Sequence, residues 1–387
     1  MTSCELVAHG PRMNYALLSL LWLLSFVGAS VMAAEKNIVV FVVDDMSPDI
    51  GAYGNQVIKT PNLDALAADG TLFSHAFATT ASCSASRSVI LSGLHNHANG
   101  QYGHQHAFHG FESWKKVRGL PLLLEECGYR TGQIGKLHVA PQEVYPFQHY
   151  FKGSPRHPVE MADNCADFVK SEDEKPFFLY FATSDPHRGG GFDKTSPYKP
   201  DLFGNLPNGK VRKGLKRIEY SADEVIVPPF MTDSPETRAE LTHYYTSISR
   251  IDQGVGQLMK LLKDAGKWDN TLILFTADHG MAFSGAKTTV YEPGLRVPFI
   301  VRNPYIQKRP KWNDAMVSFV DLVPTLLDFA GGYDSVKRQS KYTDSRSLGK
   351  PRPGDNWGPK DYSTFHGRSF LPILGEEKPN GWDQIGA

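Results

Sequence analysis

Residues 37–43 read NIVVFVV, an almost unbroken run of β-branched and aromatic side chains that stops abruptly at Asp44-Asp45. A strand with one wet face alternates apolar and polar residues. An unbroken run marks a strand buried on both faces, as in a parallel sheet covered by helices. PFFLYFAT (176–183), TLILFTADHG (271–280) and VPFIVRNP (297–304) read the same way, and YRTGQIGK (129–136) reads as a strand and turn. Between them lie helical patterns. TPNLDALAADG (60–70) has a proline start and a glycine stop, LPLLLEECG (120–128) and MADNCADFVK (161–170) each read as a helix, and a long helix runs from about Thr237 to Ala265. Strands alternating with helices predict an α/β fold with a largely parallel sheet.

The 387 residues suffice for one large domain. Residues 1–33 are expected to be a signal peptide, because the apolar run 16–31 precedes small residues suited to cleavage after Ala33. The run is short of the roughly 20 apolar residues of a membrane anchor. Export to the periplasm or outside the cell is therefore expected, and the absence of an Asn-x-Ser/Thr sequon after residue 33 weighs against a glycosylated lysosomal protein. The catalytic domain is expected over 34–375, with a short C-terminal remnant over 376–387. Residues 188–235 and 332–363 are Gly/Pro-rich and polar, and read as surface excursions. Forty-one basic residues balance 41 acidic ones, so neither nucleic acid nor stable membrane association is expected.

Ligands of open α/β sheets collect at the carboxyl ends of strands. Two such ends are acidic here: Asp44-Asp45 and Asp278-His279. Carboxylates converging there would repel one another unless a cation sat between them, and oxygen donors favour Ca²⁺ or Mg²⁺. Basic residues follow other strand ends: Lys136 and His138 in IGKLH, His187 in SDPHR, and Lys287. With Arg87 they would line an anion pocket suited to a tetrahedral oxyanion. After loss of the leader the cysteines number three, so at least one is unpaired; Cys127 and Cys165 are packing residues or a pair. Cys83, in CSASR, stands four residues before Arg87. A thiolate phosphatase needs its arginine later, where Val89 stands, so that chemistry fails on spacing.

CSASR resembles the modified-cysteine tag of the type I sulfatases, with Ala85 where proline is commoner. NIVVFVVDD, TPNLDALAADGTLFSHAFATTASCSASR, IGKLH, DPH and FTADHG resemble further blocks of that family, from about Asn37 to about Leu374. NGQYGHQHAFHGF and PFFLYFATSDPHR resemble its N-sulfatase branch, although that branch typically has asparagine where His279 stands. The resemblance implies a large, mostly parallel mixed sheet flanked by helices on both faces, with a smaller C-terminal domain missing or truncated here. It implies hydrolysis of a sulfate ester or sulfamate on a sulfated, heparan-type sugar. Cys83 would be oxidised to formylglycine by a formylglycine-generating or anaerobic sulfatase-maturating enzyme. The hydrated aldehyde would attack sulfur, and its second hydroxyl would expel sulfate. Asp44, Asp45, Asp278 and His279, with position 83, would hold one Ca²⁺. Arg87 and Lys136 would stabilise the developing anion, His138 would move a proton at the diol, His187 would protonate the leaving group, and Lys287 would clamp sulfate. Asp185 and Arg188 would touch the sugar, as would His97 from the loop HNHANGQYGHQHAFH, whose histidines otherwise suggest zinc or copper. The competing readings are a phosphomonoesterase or phosphodiesterase of the same superfamily and an inactive binder of sulfated glycans.

Overall fold

The computed structural model describes residues 36–106, 108–335 and 365–383. The expected leader and most of the polar stretch 332–363 lie outside them. Eight strands form one sheet: β1 (Asn37–Val43), β2 (Thr71–Phe77), β3 (Arg130–Gly135), β4 (His149–Phe151), β5 (Phe177–Ala182), β6 (Thr271–Ala277), β7 (Phe299–Arg302) and β8 (Asn313–Ser318). Their spatial order is β4-β3-β5-β1-β6-β7-β2-β8. The first five in that order run parallel; β7 is antiparallel to both β6 and β2, and β8 is parallel to β2. β1 lies in the middle, every residue buried, which is why its sequence shows no alternation. The expected α/β sheet is thus present, with one reversal. The segment between β6 and β7 holds only a four-residue helical turn, and β7 returns antiparallel beside β6.

The main helices are α1 (Pro61–Ala68), α2 (Cys83–Ser92), α3 (Leu120–Glu126), α4 (Pro158–Asn164), α5 (Ala166–Lys170), α6 (Pro235–Asp264) and α7 (Leu322–Phe329). They cover the two faces as two sets, α6 with α1, α4 and α5, and α2 with α3 and α7. MADNCADFVK is two short helices that meet at Cys165 rather than one. α6 begins as its sequence dictates: Ser234 accepts a hydrogen bond from the Thr237 amide, Pro235 opens the first turn and Glu236 complements the helix dipole. It also caps another helix, because the buried Asp252 accepts from the Asn62 and Leu63 amides at the start of α1. Phe41 packs on Phe181 and Phe275 with ring centroids 4.5 and 5.5 Å apart, joining the central strands. Truncating it to alanine would cost about 3–5 kcal/mol. Cys127 and Cys165 are both free thiols, so the pairing considered for them does not occur. Among the described residues no helix is long and apolar enough to cross a membrane.

Candidate active site

Because β3, β5, β1 and β6 are parallel neighbours, their carboxyl ends share one edge, and backbone bonds continue past the strands to knit it. The Asp278 amide donates to Val43 O at 2.9 Å, the Asp44 amide to Asp185 O at 3.0 Å, and the Lys136 amide to Ala182 O at 2.8 Å. Residues from four separate stretches of chain therefore arrive side by side. Asp45 leaves β1 at φ 54° and His138 leaves the β3 loop at φ 58°, while Thr288, next to Lys287, sits at φ 65°. Such left-handed conformations are costly away from glycine, of order 1–3 kcal/mol each, and collect where side chains must be aimed.

Cys83 is the first residue of α2, and Arg87 follows one turn later on the same side. Every residue of α2 is buried. That explains the small hydroxyl residues around the cysteine, which satisfy themselves within a tight interior. Ser86 Oγ donates to Asp278 O, Ser88 Oγ donates to Ala85 O at 2.7 Å, and Ser84 Oγ accepts from the Gln105 amide at 3.1 Å. Arg87 is fully buried and ties the two acidic strand ends together, its Nε 3.0 Å from Asp278 Oδ2 and an Nη 3.3 Å from Asp44 Oδ1. A further Nη donates to Lys136 O at 2.8 Å.

Above this floor stand two lysines. Lys136 Nζ lies 2.5 Å from Asp44 Oδ2, and Lys287 Nζ lies 2.8 Å from both oxygens of Asp45 and 3.6 Å from Cys83 Sγ. Burial works to raise the Asp44 carboxyl, but Lys136 and Arg87 outweigh it and hold it well below the usual carboxylate range. Asp278 is raised, by burial and by the charge of Asp44. The Cys83 thiol is pushed well above its ordinary value by burial, with Asp44 and Asp278 adding to it. A reactive cysteine needs the opposite, a thiolate stabilised by its surroundings. As a plain thiol, Cys83 is a poor nucleophile.

The donor set fits a hard cation. Asp44, Asp45, Cys83 and His187 each offer a ligand atom within 4.8 Å of one another, as do Cys83, Asp278 and His279. His279 Nδ1 lies 2.9 Å from Gly280 O, a carbonyl that can only accept, so Nδ1 carries a proton and Nε2 is turned to the acidic floor. That Nε2 points to Asp45 Oδ1 at 3.3 Å and Cys83 Sγ at 3.4 Å.

The cleft over Cys83 encloses about 390 Å³ and is lined by Asp44, Cys83, His104, His106, Lys136, His138, Arg156, Ser184, His187 and Lys287. An adjoining hollow of about 420 Å³ shares His187 and Lys287 and is lined also by Asp45, Arg188 and Phe283. His187 Nε2 is 3.8 Å from Asp45 Oδ2. Arg188 rests on the rings of Phe203 and Phe283, 4.8 and 5.0 Å from their centroids, and pairs with Glu240 at 2.7 Å. His138 is lowered to about 3 by burial, then by Lys136 and Arg87, and is therefore neutral.

Two expected residues stand apart from the cleft. Asp185 is fully buried with both oxygens taken, by Arg156 at 2.8 Å and Arg250 at 2.7 Å. His97 is exposed and stacks with His95 and His366, ring centroids 5.6 and 5.7 Å away. Sequence reasoning missed Arg156 and Ser184. Ser184 follows β5 directly and was legible as a strand-end residue; Arg156 follows β4, a strand of three residues with no pattern to read.

A family model described as Sulfatase matches residues 36–333. The chain is 40% identical over 308 residues to human N-sulphoglucosamine sulphohydrolase, covering 77% of this chain and 61% of that protein. It is 29% identical to an ulvan-active sulfatase of Formosa agariphila, covering 79% of this chain and 56% of that protein. It spans about three fifths of the length of these curated relatives. A solved structure of a putative sulfatase from Bacteroides fragilis superposes with a TM-score of 0.64 at 23% identity, over 80% of this chain and 76% of that one, which bears on the fold alone. A match running from the edge of β1 to beyond α7, with such identity to the human relative, means that this chain belongs to the sulfatase family.

Proposed function

We propose that the protein is a sulfatase that removes sulfate from a sulfated, heparan-type sugar, with the N-sulfate of glucosamine as the leading substrate. What carries this reading is the placement of Cys83. It lies where a nucleophile belongs, at the cleft floor within reach of a lysine and two acidic strand ends, yet burial and the aspartates hold it as an inert thiol. Conversion to formylglycine resolves that contradiction. The name of the human relative supports the N-sulfated substrate. Its maturation partner is a formylglycine-generating or anaerobic sulfatase-maturating enzyme, and the apolar run 16–31 supports export.

Formylglycine at position 83 would supply a hydrated aldehyde as nucleophile, and Ca²⁺ held by Asp44, Asp45, Asp278 and His279 would orient it and screen sulfate charge. The other residues act directly. Lys287 and Lys136 reach the cleft as ammonium groups, aimed where sulfate oxygens gain charge. Arg87 is spent on Asp44 and Asp278, so it holds the acid pair in register beneath position 83. His138, neutral in its pocket, accepts a proton from the group at 83. His187 stands where the cleft opens into the adjoining hollow and donates a proton to the departing amine or alcohol. Arg188 lines that hollow and meets the sugar. Asp185 positions His187 through Arg156, whose Nη donates to His187 O at 3.0 Å.

Mass spectrometry of the peptide holding Cys83, from protein made in its own host, should show the mass of the aldehyde. Sulfate release from N-sulfoglucosamine should then be at least about 10³-fold slower in Cys83→Ser, at unchanged melting temperature. A persistently free thiol with full turnover would refute the mechanism. Release only from O-sulfated sugars would replace the leading substrate.

A further inference from the structure

The cleft has a second wall whose chemistry differs from the floor. His104 and His106 come from the loop after α2, and His138 comes from the loop after β3. Each offers one ring nitrogen within 4.8 Å of the others. The His138 ring stacks on His106 at 4.8 Å and 20° and on His104 at 5.8 Å and 18°. His106 Nδ1 and His138 Nε2 are 2.6 Å apart and share a proton. His104 Nδ1 and His138 Nδ1 are buried with no hydrogen-bond partner among the described residues. Unpartnered buried polar atoms are rare and cost about 1–3 kcal/mol each, and a metal ion on His104 Nδ1 would give that atom a partner.

We propose that His104, His106 and His138 form a second metal site, for a zinc-class transition ion, separate from the oxygen-rich floor. Imidazole nitrogens suit Zn²⁺, Cu²⁺ or Ni²⁺, whereas Ca²⁺ and Mg²⁺ prefer oxygen. Three histidines with a fourth position open to the cleft match the ligand count of exchangeable zinc sites. The three ligand nitrogens already lie within 4.8 Å of one another and converge to tetrahedral spacing by side-chain rotation. Bonds of about 2.0–2.1 Å in a tetrahedron separate two ligand nitrogens by about 3.3 Å, so the 2.6 Å pair opens by under an ångström. Burial keeps His104 and His138 below the usual imidazole range, leaving lone pairs available at neutral pH. The nearby ammonium groups are already paired, Lys136 with Asp44 and Lys287 with Asp45, which lessens their repulsion of a second cation.

Occupation takes the His138 imidazole out of proton transfer; this consequence alone rests on the sulfatase reading. Zinc at this wall is then a reversible brake on the cleft.

Co²⁺ is the probe, added to the full-length protein in excess Ca²⁺ so that the floor is filled. One Co²⁺ should bind with the intense visible bands of four-coordinate cobalt, be displaced by Zn²⁺, and bind at least about tenfold more weakly to His104→Gln and to His106→Gln, at unchanged melting temperature. His97→Gln should bind as the parent does. Equal affinity in the His104 and His106 variants, or only the faint spectrum of six-coordinate cobalt, overturns the site. If the site holds, Zn²⁺ should slow turnover in the parent and not in His106→Gln; binding without such slowing would remove the brake and leave the site. Because cobalt binding is read without turnover, an inactive protein would not disguise the result.

Discussion

Two buried clusters of aspartate and arginine lie side by side at the carboxyl edge of the sheet, and they are built to different ends. In one, Asp185 meets Arg156 and Arg250, one oxygen to each. Arg250 is in turn held by Asn205 at 2.5 Å, Phe203 O at 3.1 Å and Ser247 at 3.0 Å. Both carboxylate oxygens there are taken, each by a different guanidinium. In the other, Asp44 and Asp278 share a single buried arginine, Arg87, while the second oxygen of Asp44 meets Lys136 and both oxygens of Asp45 meet Lys287 from the cleft side. Lysine ammoniums are flexible point charges that a cation or a sulfate can displace. The closed cluster holds the excursion after β5 in place; the open one is left available for chemistry. A buried carboxylate marks a working site only when its partners can be exchanged.

The sharpest way to break the comparison is Asp185→Asn. Leaving two arginines uncompensated in the interior should lower the unfolding free energy by about 3–5 kcal/mol, read from urea unfolding. Unchanged stability with lost turnover would move Asp185 into the open cluster. Lys287→Met should do the reverse. Turnover in a sulfate-release assay should fall by about 10²–10³-fold with little change in the urea midpoint, and a large loss of stability would show that Lys287 is a structural ion pair. Ca²⁺ at a hundred times its dissociation constant should stabilise the parent by about 2.7 kcal/mol, raising the melting temperature. Asp185→Asn should keep that increment and Asp45→Asn should lose it.

The smallest effect concerns Asp278. Its carboxyl is raised in the folded chain, so the folded state holds its proton at a higher pH than the unfolded state does. In metal-free protein it therefore withdraws stability as pH rises above the usual carboxylate range, and withdraws none in strong acid. Chelated Asp278→Asn should melt above the chelated parent at pH 7 and alongside it in acid. A lower melting temperature at pH 7 would mean that Arg87 fully balances Asp278.

The centre of this molecule was legible in its sequence, and its margins were not. β1, β5 and β6 announce themselves because burial on both faces leaves unbroken apolar runs, and their acidic or basic exits follow directly. β8, with the polar sequence NDAMVS, and β4, with three residues, have no such signature; they exist through pairing with distant strands. The same limit applies to the site. Lys136, His138, His187 and Lys287 could be picked out because each trails a strand. Asp185 trails one too, but both its oxygens accept from Arg156 and Arg250, whose approach from 29 and 65 residues away no local pattern encodes. His97 stacks on His366, 269 residues away, another contact no local pattern encodes.

Cys83 at the buried start of α2 sets a timetable. The proposed conversion of Cys83 requires the thiol within reach of a modifying enzyme, and in the folded chain that thiol is 1% exposed beneath Lys287. The strand end and lysine that close over it are made roughly 200 residues later, which at 5–20 residues per second of synthesis is about 10–40 s. On the proposed reading, that interval is when the thiol would be open to conversion. Slowing synthesis between α2 and β6 lengthens the interval and should raise the converted fraction; hastening the sheet to completion should lower it.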